Sequence, residues 1–243
     1  DDTQAVTPLV AITGTNNELL EGFSFVALDD FTGVEDVYFT ENPFNNNTLS
    51  FSGTESVLKW TAPAILRGNV MVVKETAPDV FALTCSGGGA CGTISLESGS
   101  FALASNGEGF FAYTDSDADP TNGVTEVHAV LYTGASGSPG GNIPSIEDPS
   151  SVYTGAVVVD GFSAVNPNRT EYDHPVPRGI TVDQAGFLNT SNWLHAQTNA
   201  DLSPIPFANI TITVPSTNPT LTLTATPTTS VEDSGTGMVY TFM

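Results

Sequence analysis

The acidic residues in the stretch "DSDADPTNGVTE" are spaced as the oxygen ligands of a divalent cation would be. Asp115, Asp117 and Asp119 occupy alternate positions, Thr121 offers a backbone carbonyl, and Glu126 is the twelfth residue counted from Asp115. Oxygen ligands at positions one, three, five, seven and twelve are typical of a calcium-binding loop. The stretch therefore predicts calcium as a cofactor.

The surroundings of this stretch leave a second interpretation open. Pro120 stands where a calcium loop between two helices needs glycine, and the flanks "FFAYT" and "VHAVLYT" alternate as strands do. A hairpin loop with converging carboxylates would still bind calcium, whereas an acidic hairpin tip that only keeps the chain soluble would not. A second acidic group lacks regular ligand spacing and is predicted to be a solvated turn; it consists of Asp29, Asp30, Glu35 and Asp36.

The two cysteines lie close together in "TCSGGGACG". Five residues separate Cys85 from Cys91, three of them consecutive glycines, and glycine readily adopts the positive φ angles that a tight loop needs. No His, Asp or Glu lies between the cysteines to complete a metal site. We therefore predict a disulfide between Cys85 and Cys91, which implies an oxidising compartment.

Signatures of catalysis are missing from the sequence. No "GxSxG", "HExxH", "GxxxxGK[ST]" or helix-opening "GxGxxG" occurs, and the histidines at 128, 174 and 195 are far apart. Trp60 and Trp193 are predicted to belong to the core rather than to sugar-stacking platforms. The chain is therefore predicted to have no catalytic residues and not to be an enzyme.

The composition restricts the partners. With 27 acidic and five basic residues, the chain has a formal net charge of −22. Such a surface repels nucleic-acid phosphates and anionic lipid headgroups, so neither nucleic acid nor membrane insertion is expected. The small, acidic start "DDTQAVTP" is typical of a mature exported protein, and we expect an extracellular or cell-surface location.

The distribution of strand-forming residues indicates the fold class. Short extended segments such as "LVAITG", "FSFVALDDF" and "NVMVVKET" recur about every ten residues, with Gly and Pro between them. This pattern predicts an all-β fold, an antiparallel β-sandwich of jelly-roll type, with one short helix near 183–195. We expect a domain over 1–214, followed by a linker and an extended strand tail over 215–243.

Several motifs resemble those of a known type of module. The succession "FSFVALDDFTGVEDVYFTENPF", "LKWTAPA", "SNGEGFFAYTD" and "FLNTSNWL" resembles a recurring β-sandwich module of bacterial secreted and surface proteins, of the lamin-tail-like or Calx-beta-associated kind. The tail "PTLTLTATPTTSVEDSGTGMVYTF" resembles the opening strands of a Calx-beta-like repeat. The resemblance implies an exported module without catalytic residues.

The predicted function is that of a structural or adhesive subunit of a bacterial surface fibre or matrix. Subunits would join by strand addition, with copies of the same chain or other surface proteins as partners. The predicted apolar anchors of the assembly strand are Val231, Met238, Tyr240 and Phe242, although the N-terminal "DDTQAVTPLVAIT" is an alternative donor. The alternative function is a calcium-stabilised carbohydrate- or surface-binding module from a larger secreted protein, with glycans as partners.

Overall fold

The computed structural model describes residues 8–17, 21–45, 48, 50–51, 55–86, 88–104, 109–117, 119, 121–133, 156–159, 169–172 and 193–196. In these ranges every regular element is a β-strand, which confirms the all-β fold class. The strands are β1 (Val10–Asn16), β2 (Gly22–Ala27), β3 (Phe31–Thr32), β4 (Asp36–Thr40), β5 (Phe44–Asn45), β6 (Ser50–Phe51), β7 (Val57–Thr61), β8 (Ala64–Ile65), β9 (Val70–Ala77), β10 (Val80–Cys85), β11 (Thr93–Ser98), β12 (Gly109–Asp115), β13 (Val124–Tyr132), β14 (Val157–Val159), β15 (Arg169–Tyr172) and β16 (Trp193–Ala196). Within the described part of the chain, no helix has the length and apolar character needed to cross a membrane.

The first six-stranded sheet has the order β10-β9-β2-β1-β15-β16, and all its neighbouring strands are antiparallel. Strand β2 shows why its sequence forms such an element. Phe23 and Phe25 point to one face of the sheet, while Ser24 and Val26 point to the other, as the two-residue period of a strand requires. The hydroxyl of Ser24 forms a hydrogen bond of 2.8 Å with that of Thr13 on β1.

The second six-stranded sheet has the order β11-β7-β4-β12-β13-β14 and is mixed. Its last pair is parallel, with Ala129 opposite Val157 and Leu131 opposite Val159. The prediction of a purely antiparallel arrangement is therefore wrong for β13 and β14. A parallel pair requires a long connection between its strands, and the Gly- and Pro-rich stretch that follows β13 supplies the necessary length.

Aromatic side chains join the two sheets. The ring of Phe23 on β2 lies 4.8 Å from that of Phe39 on β4, and the ring of Phe25 lies 4.9 Å from that of Trp60 on β7. All four side chains have no solvent-exposed area. Because burying one such side chain stabilises the fold by about 1.5–3 kcal/mol, this cluster accounts for a large share of the attraction between the sheets.

The second sheet is also covered on its other face. Phe44 of β5 and Phe51 of β6 form a small ribbon, and the ring of Phe51 lies 4.6 Å from that of Tyr113 on β12. Since both faces of β12 are covered, its residues from Phe110 to Tyr113 are buried without alternation. A second ribbon pairs β3 with β8.

Two sequence predictions concern the C-terminal part of the chain. The helix expected near 183–195 is wrong where it can be compared, because residues from Trp193 onward form strand β16 and pair with β15. The rest of that helix lies outside the described residues. The domain boundary at 214 and the tail over 215–243 lie outside them as well.

Candidate functional site

The acidic turn between β12 and β13 is built from carboxylates that accept backbone hydrogen bonds. Oδ1 of Asp115 accepts a bond of 2.9 Å from the N–H of Asp117, and Oδ1 of Asp117 accepts one of 3.0 Å from Asp119. Oδ1 of Asp119 accepts bonds from the N–H and the hydroxyl of Thr121. These two bonds from Thr121 are the main cause that lowers the pKa of Asp119. The alternating spacing of the aspartates thus gives each carboxylate the N–H group of the residue two positions later as a partner.

Gly123 closes this turn at a point where two carboxylates approach the backbone. Its φ angle is 75°, in the left-handed region that favours glycine. A Cβ atom at Gly123 would lie 2.7 Å from Oδ1 of Asp117 and 2.9 Å from Oδ1 of Asp115. Two of the predicted calcium ligands are therefore brought together beside Gly123.

Glu126 is separated from these aspartates. It lies opposite Thr114 in the register, on the face of the sheet opposite to Asp115, and its Oε1 lies 3.7 Å from Nδ1 of His128. In the described ranges, no group of three or more His, Cys, Asp or Glu side chains is arranged to hold a metal ion. Calcium binding at Asp115, Asp117, Asp119, Thr121 and Glu126 stays a prediction.

His128 is a buried neutral imidazole at an irregular point of β13. Ala129 lies opposite Ala112 and Val127 opposite Tyr113, so His128 is an extra residue in the strand, a β-bulge. Its Nδ1 accepts a hydrogen bond of 3.3 Å from the N–H of Leu9, which places the ring proton on Nε2.

Burial sets the ionisation of both members of this pair. It lowers the pKa of His128 to about 4 and raises the pKa of Glu126 to about 7. The two side chains therefore do not form an ion pair between pH 5 and 6, because both are neutral. No nucleophile among the described residues is bonded to either.

Two members of the second acidic group, Glu35 and Asp30, accept hydrogen bonds from different parts of the backbone. The carboxylate of Glu35 accepts hydrogen bonds from the N–H groups of Thr32, Gly33 and Val34. Desolvation acts to raise the pKa of Glu35, but a hydrogen bond from the hydroxyl of Thr32, together with these backbone bonds, holds it at about 2. Oδ1 of Asp30 accepts a bond from the N–H of Arg67 and lies 3.5 Å from Nε of its guanidinium group.

The predicted disulfide is confirmed. Cys85 ends β10, Cys91 precedes β11, and their Sγ atoms are bonded at 2.06 Å. The indole Nε1 of Trp60 donates a hydrogen bond of 2.8 Å to the carbonyl of Cys91, so the core holds the closed loop in place. Trp60 and Trp193 are both buried, as predicted, and neither presents a ring face on which a sugar could stack.

The disulfide loop joins two strands that lie at the edges of different sheets. Strand β10 is the last strand of the first sheet and β11 that of the second, among the strands that the structure describes. Along β10, exposed Val80, Ala82 and Thr84 alternate with half-buried Phe81 and Leu83. The half-buried side chains pack against the core.

The direction of the backbone groups of β10 follows from one hydrogen bond. The N–H of Ser86 donates to the carbonyl of Val70, so the backbone of Ser86 faces β9. In antiparallel pairs this orientation alternates, and the backbone groups of Thr84 and Ala82 face β9 as well. The backbone groups of Leu83 and Cys85, which alternate with these residues, face away from β9, toward the open edge.

One buried carboxyl group, that of Glu41, was not predicted from the sequence. Glu41 follows β4, is only 4% exposed, and accepts hydrogen bonds from the N–H and the hydroxyl of Ser56. Desolvation, which these bonds offset only in part, raises the pKa of Glu41 to about 7. The only sequence signal was an acidic residue two positions after the apolar run "VYF", where the chain has not yet left the core.

The predicted anchors Val231, Met238, Tyr240 and Phe242 lie outside the described residues. The resemblance to lamin-tail-like and Calx-beta-associated modules stays a prediction from the quoted motifs. Comparisons with protein-family models, with curated proteins and with solved structures found no match to this chain.

Proposed function

We propose that this chain is a non-enzymatic structural or adhesive subunit of an extracellular assembly, a bacterial surface fibre or matrix, whose subunits join by strand addition. The observation that carries the proposal is the edge of β10, beside which no strand lies in the described part of the chain. Soluble β-proteins usually prevent pairing at such edges with a charge, a proline or a bulge. From Phe81 to Cys85 the strand has no charged residue, no proline and no irregularity of register.

Other features support the same function. The Cys85–Cys91 disulfide is typical of proteins outside the cytosol. The two packed sheets are consistent with a sandwich of jelly-roll type, a rigid scaffold that holds an edge strand in place. The partners would be copies of the same chain or other surface proteins, and the four C-terminal anchors remain candidate donor residues.

One pair of substitutions tests whether the β10 edge mediates assembly. Leu83→Pro removes an N–H group that faces away from β9, so the first sheet keeps its own hydrogen bonds. Leu83→Ala removes the same side chain but keeps the N–H group, and serves as the matched control. We expect Leu83→Pro to be monomeric in sedimentation velocity and negative-stain microscopy, while Leu83→Ala still assembles, more weakly than the unmodified chain because it loses one apolar contact at the edge.

Far-UV circular dichroism and thermal unfolding of both variants show whether the fold is retained. If folded Leu83→Pro assembled as well as Leu83→Ala, addition at this edge would be excluded.

The second candidate function is a calcium-stabilised carbohydrate- or surface-binding module from a larger secreted protein. The approach of Asp115 and Asp117 to one point beside Gly123 favours it, because two carboxylate oxygens could share a cation there. Isothermal titration of the full chain with calcium chloride tests this candidate. Absence of binding heat at millimolar calcium would argue against it.

A further inference from the structure

We infer that the open edge of β10 binds residues 220–226, "TLTLTAT", of a second copy of this chain. The inference rests on the proposed function and names the segment that occupies the edge. Four observations support it: the apolar groove beside the edge, the alternation within the segment, the prolines that bound it, and the distribution of charge.

The receiving surface, here called the groove, consists of half-buried apolar side chains of the two edge strands. Phe81 and Leu83 lie on β10, and Ile94 and Leu96 lie on β11. Each of these side chains is half-buried and packs against the core on one side. A strand added to β10 would cover their remaining apolar surface while it bonds to the outward backbone groups.

The segment has the pattern that this groove requires. Leu221, Leu223 and Ala225 alternate with threonines, so a strand places the apolar side chains on one face and the hydroxyls on the other. Thr is also a favourable residue in strands.

Prolines determine the length of the segment. Pro219 and Pro227 cannot donate hydrogen bonds to a ladder, so they limit a strand to the seven residues between them. Strand β10 has six residues, from Val80 to Cys85. The two lengths are therefore matched within one residue.

Charge favours this contact over others on the surface. Two copies that each carry a net charge of −22 repel one another over most of their surfaces. No charged residue occurs between Asp201 and Glu232, a longer run than any other in the chain, and none occurs between Asp79 and Glu97 around the edge. The segment and the edge thus meet without opposed carboxylates.

Two other uncharged segments alternate in a similar way. Residues 209–214, "NITITV", belong to the stretch that the sequence assigns to the domain itself. Residues 238–242, "MVYTF", come shortly after Glu232 and Asp233, which would lie near the acidic surface of the second copy. Both segments are alternative donors, and the complementation experiment distinguishes them from residues 220–226.

Complementation between two full-length variants tests the inference. The donor variant carries Leu221→Asp and Leu223→Asp, and the acceptor variant carries Leu83→Pro. The matched control carries Thr222→Asp and Thr224→Asp, which add the same charge on the opposite face of the segment. Sedimentation velocity and light scattering measure the mass of each species.

We expect the donor and acceptor variants to be monomeric alone and the control to retain assembly, weakened only by the added charge, because its aspartates lie on the face of the segment away from Leu221 and Leu223. An equimolar mixture of the two variants should form a dimer and stop there, since only one edge and one donor segment remain functional.

A donor variant that assembles like the unmodified chain would overturn the inference. The proposed function would still stand if Leu83→Pro remained monomeric, and 209–214 or 238–242 would then be the donor. If the acceptor variant also assembled, or if the unmodified chain stayed monomeric throughout, both proposals would be wrong.

Discussion

Glu41→Gln is expected to remove a large part of the pH dependence of the free energy of unfolding. Glu41 is nearly inaccessible to water and accepts hydrogen bonds from Ser56. A glutamine has almost the same shape, can accept the bond from the Ser56 N–H with its carbonyl oxygen, and stays neutral at every pH. The substitution therefore changes the ionisation of the site with little change in packing.

The magnitude follows from the pKa. Burial raises the pKa of Glu41 from 4.5 in the unfolded chain to about 7 in the folded one. The folded state thus binds the proton more tightly, and the resulting stabilisation is complete below pH 4.5 and is lost as the pH rises through 7. At about 1.4 kcal/mol per pKa unit, the loss is of the order of 3 kcal/mol.

Other buried groups affect the pH profile of the unmodified chain. Glu126, with its pKa raised to about 7, changes the free energy in the same direction as Glu41. His128, with its pKa lowered to about 4, acts in the opposite direction, since its contribution is present above pH 6.5 and is lost as the pH falls toward 4. Glu126 and His128 are present in both Glu41→Gln and the unmodified chain. Their contributions therefore cancel when the two free energies of unfolding are subtracted.

Urea unfolding at intervals between pH 4.5 and pH 8.5 measures this difference. We expect the advantage of Glu41→Gln over the unmodified chain to grow by about 3 kcal/mol across the range. Glu97→Gln, which removes a carboxylate from the exposed edge strand β11 by the same substitution, is the control. Parallel profiles for Glu41→Gln and the unmodified chain would refute the reasoning.

Two further predictions concern the acidic turn and the disulfide. If the turn binds calcium, the midpoint temperature of thermal unfolding of the unmodified chain is higher in calcium than in chelator. Asp117→Ala abolishes this difference. Equal midpoints in calcium and in chelator for the unmodified chain would exclude the site. Asp117→Asn, which keeps the hydrogen bond to Asp119 but loses the charge, should behave like Asp117→Ala. Replacing Cys85 and Cys91 together with Ala should lower the free energy of unfolding by about 2 kcal/mol, as expected for a short closed loop, and an unchanged urea midpoint would contradict this.

The local features of the sequence predicted the structure best. Cys85 and Cys91 are close in the chain and separated by glycines, so their pairing needed no knowledge of distant strands. The short extended segments separated by Gly and Pro, such as the one that forms β2, likewise indicated strands without tertiary information. Trp60 lies in the core because its ring packs between the sheets, as its place in an apolar strand suggested.

Features that depend on register could not be predicted. The spacing of "DSDADPTNGVTE" placed Glu126 with the aspartates, but β13 contains an extra residue at Thr125 as well as at His128, and Glu126 lies opposite Thr114. A bulge shifts the relation between sequence position and sheet face, and no local signal marks it here. The parallel pairing of β13 with β14 was missed for a related reason, since it depends on the path of a long connection.

The predicted helix near 183–195 is wrong over 193–195 because the spacing of its apolar residues admits more than one interpretation. Leu188, Trp193 and Leu194 suggest one apolar face of a helix, yet Trp193 and Leu194 are neighbours in a strand that pairs with β15. Short apolar runs do not separate the two states, and pairing with an available edge decides between them.

If subunits join through β10 as proposed, its uncharged edge gives the acidic composition a more specific meaning than solubility. A chain with net charge −22 resists association wherever carboxylates face one another, so any stable contact between copies must use surface from which charge is missing. Natural edges are commonly protected by a charged side chain, and this chain has acidic residues in abundance that could have served. Their absence from both β10 and the groove beside it, on an otherwise strongly acidic molecule, is what an edge that accepts a strand requires. Repulsion between the acidic surfaces of two copies would then direct their association to this edge.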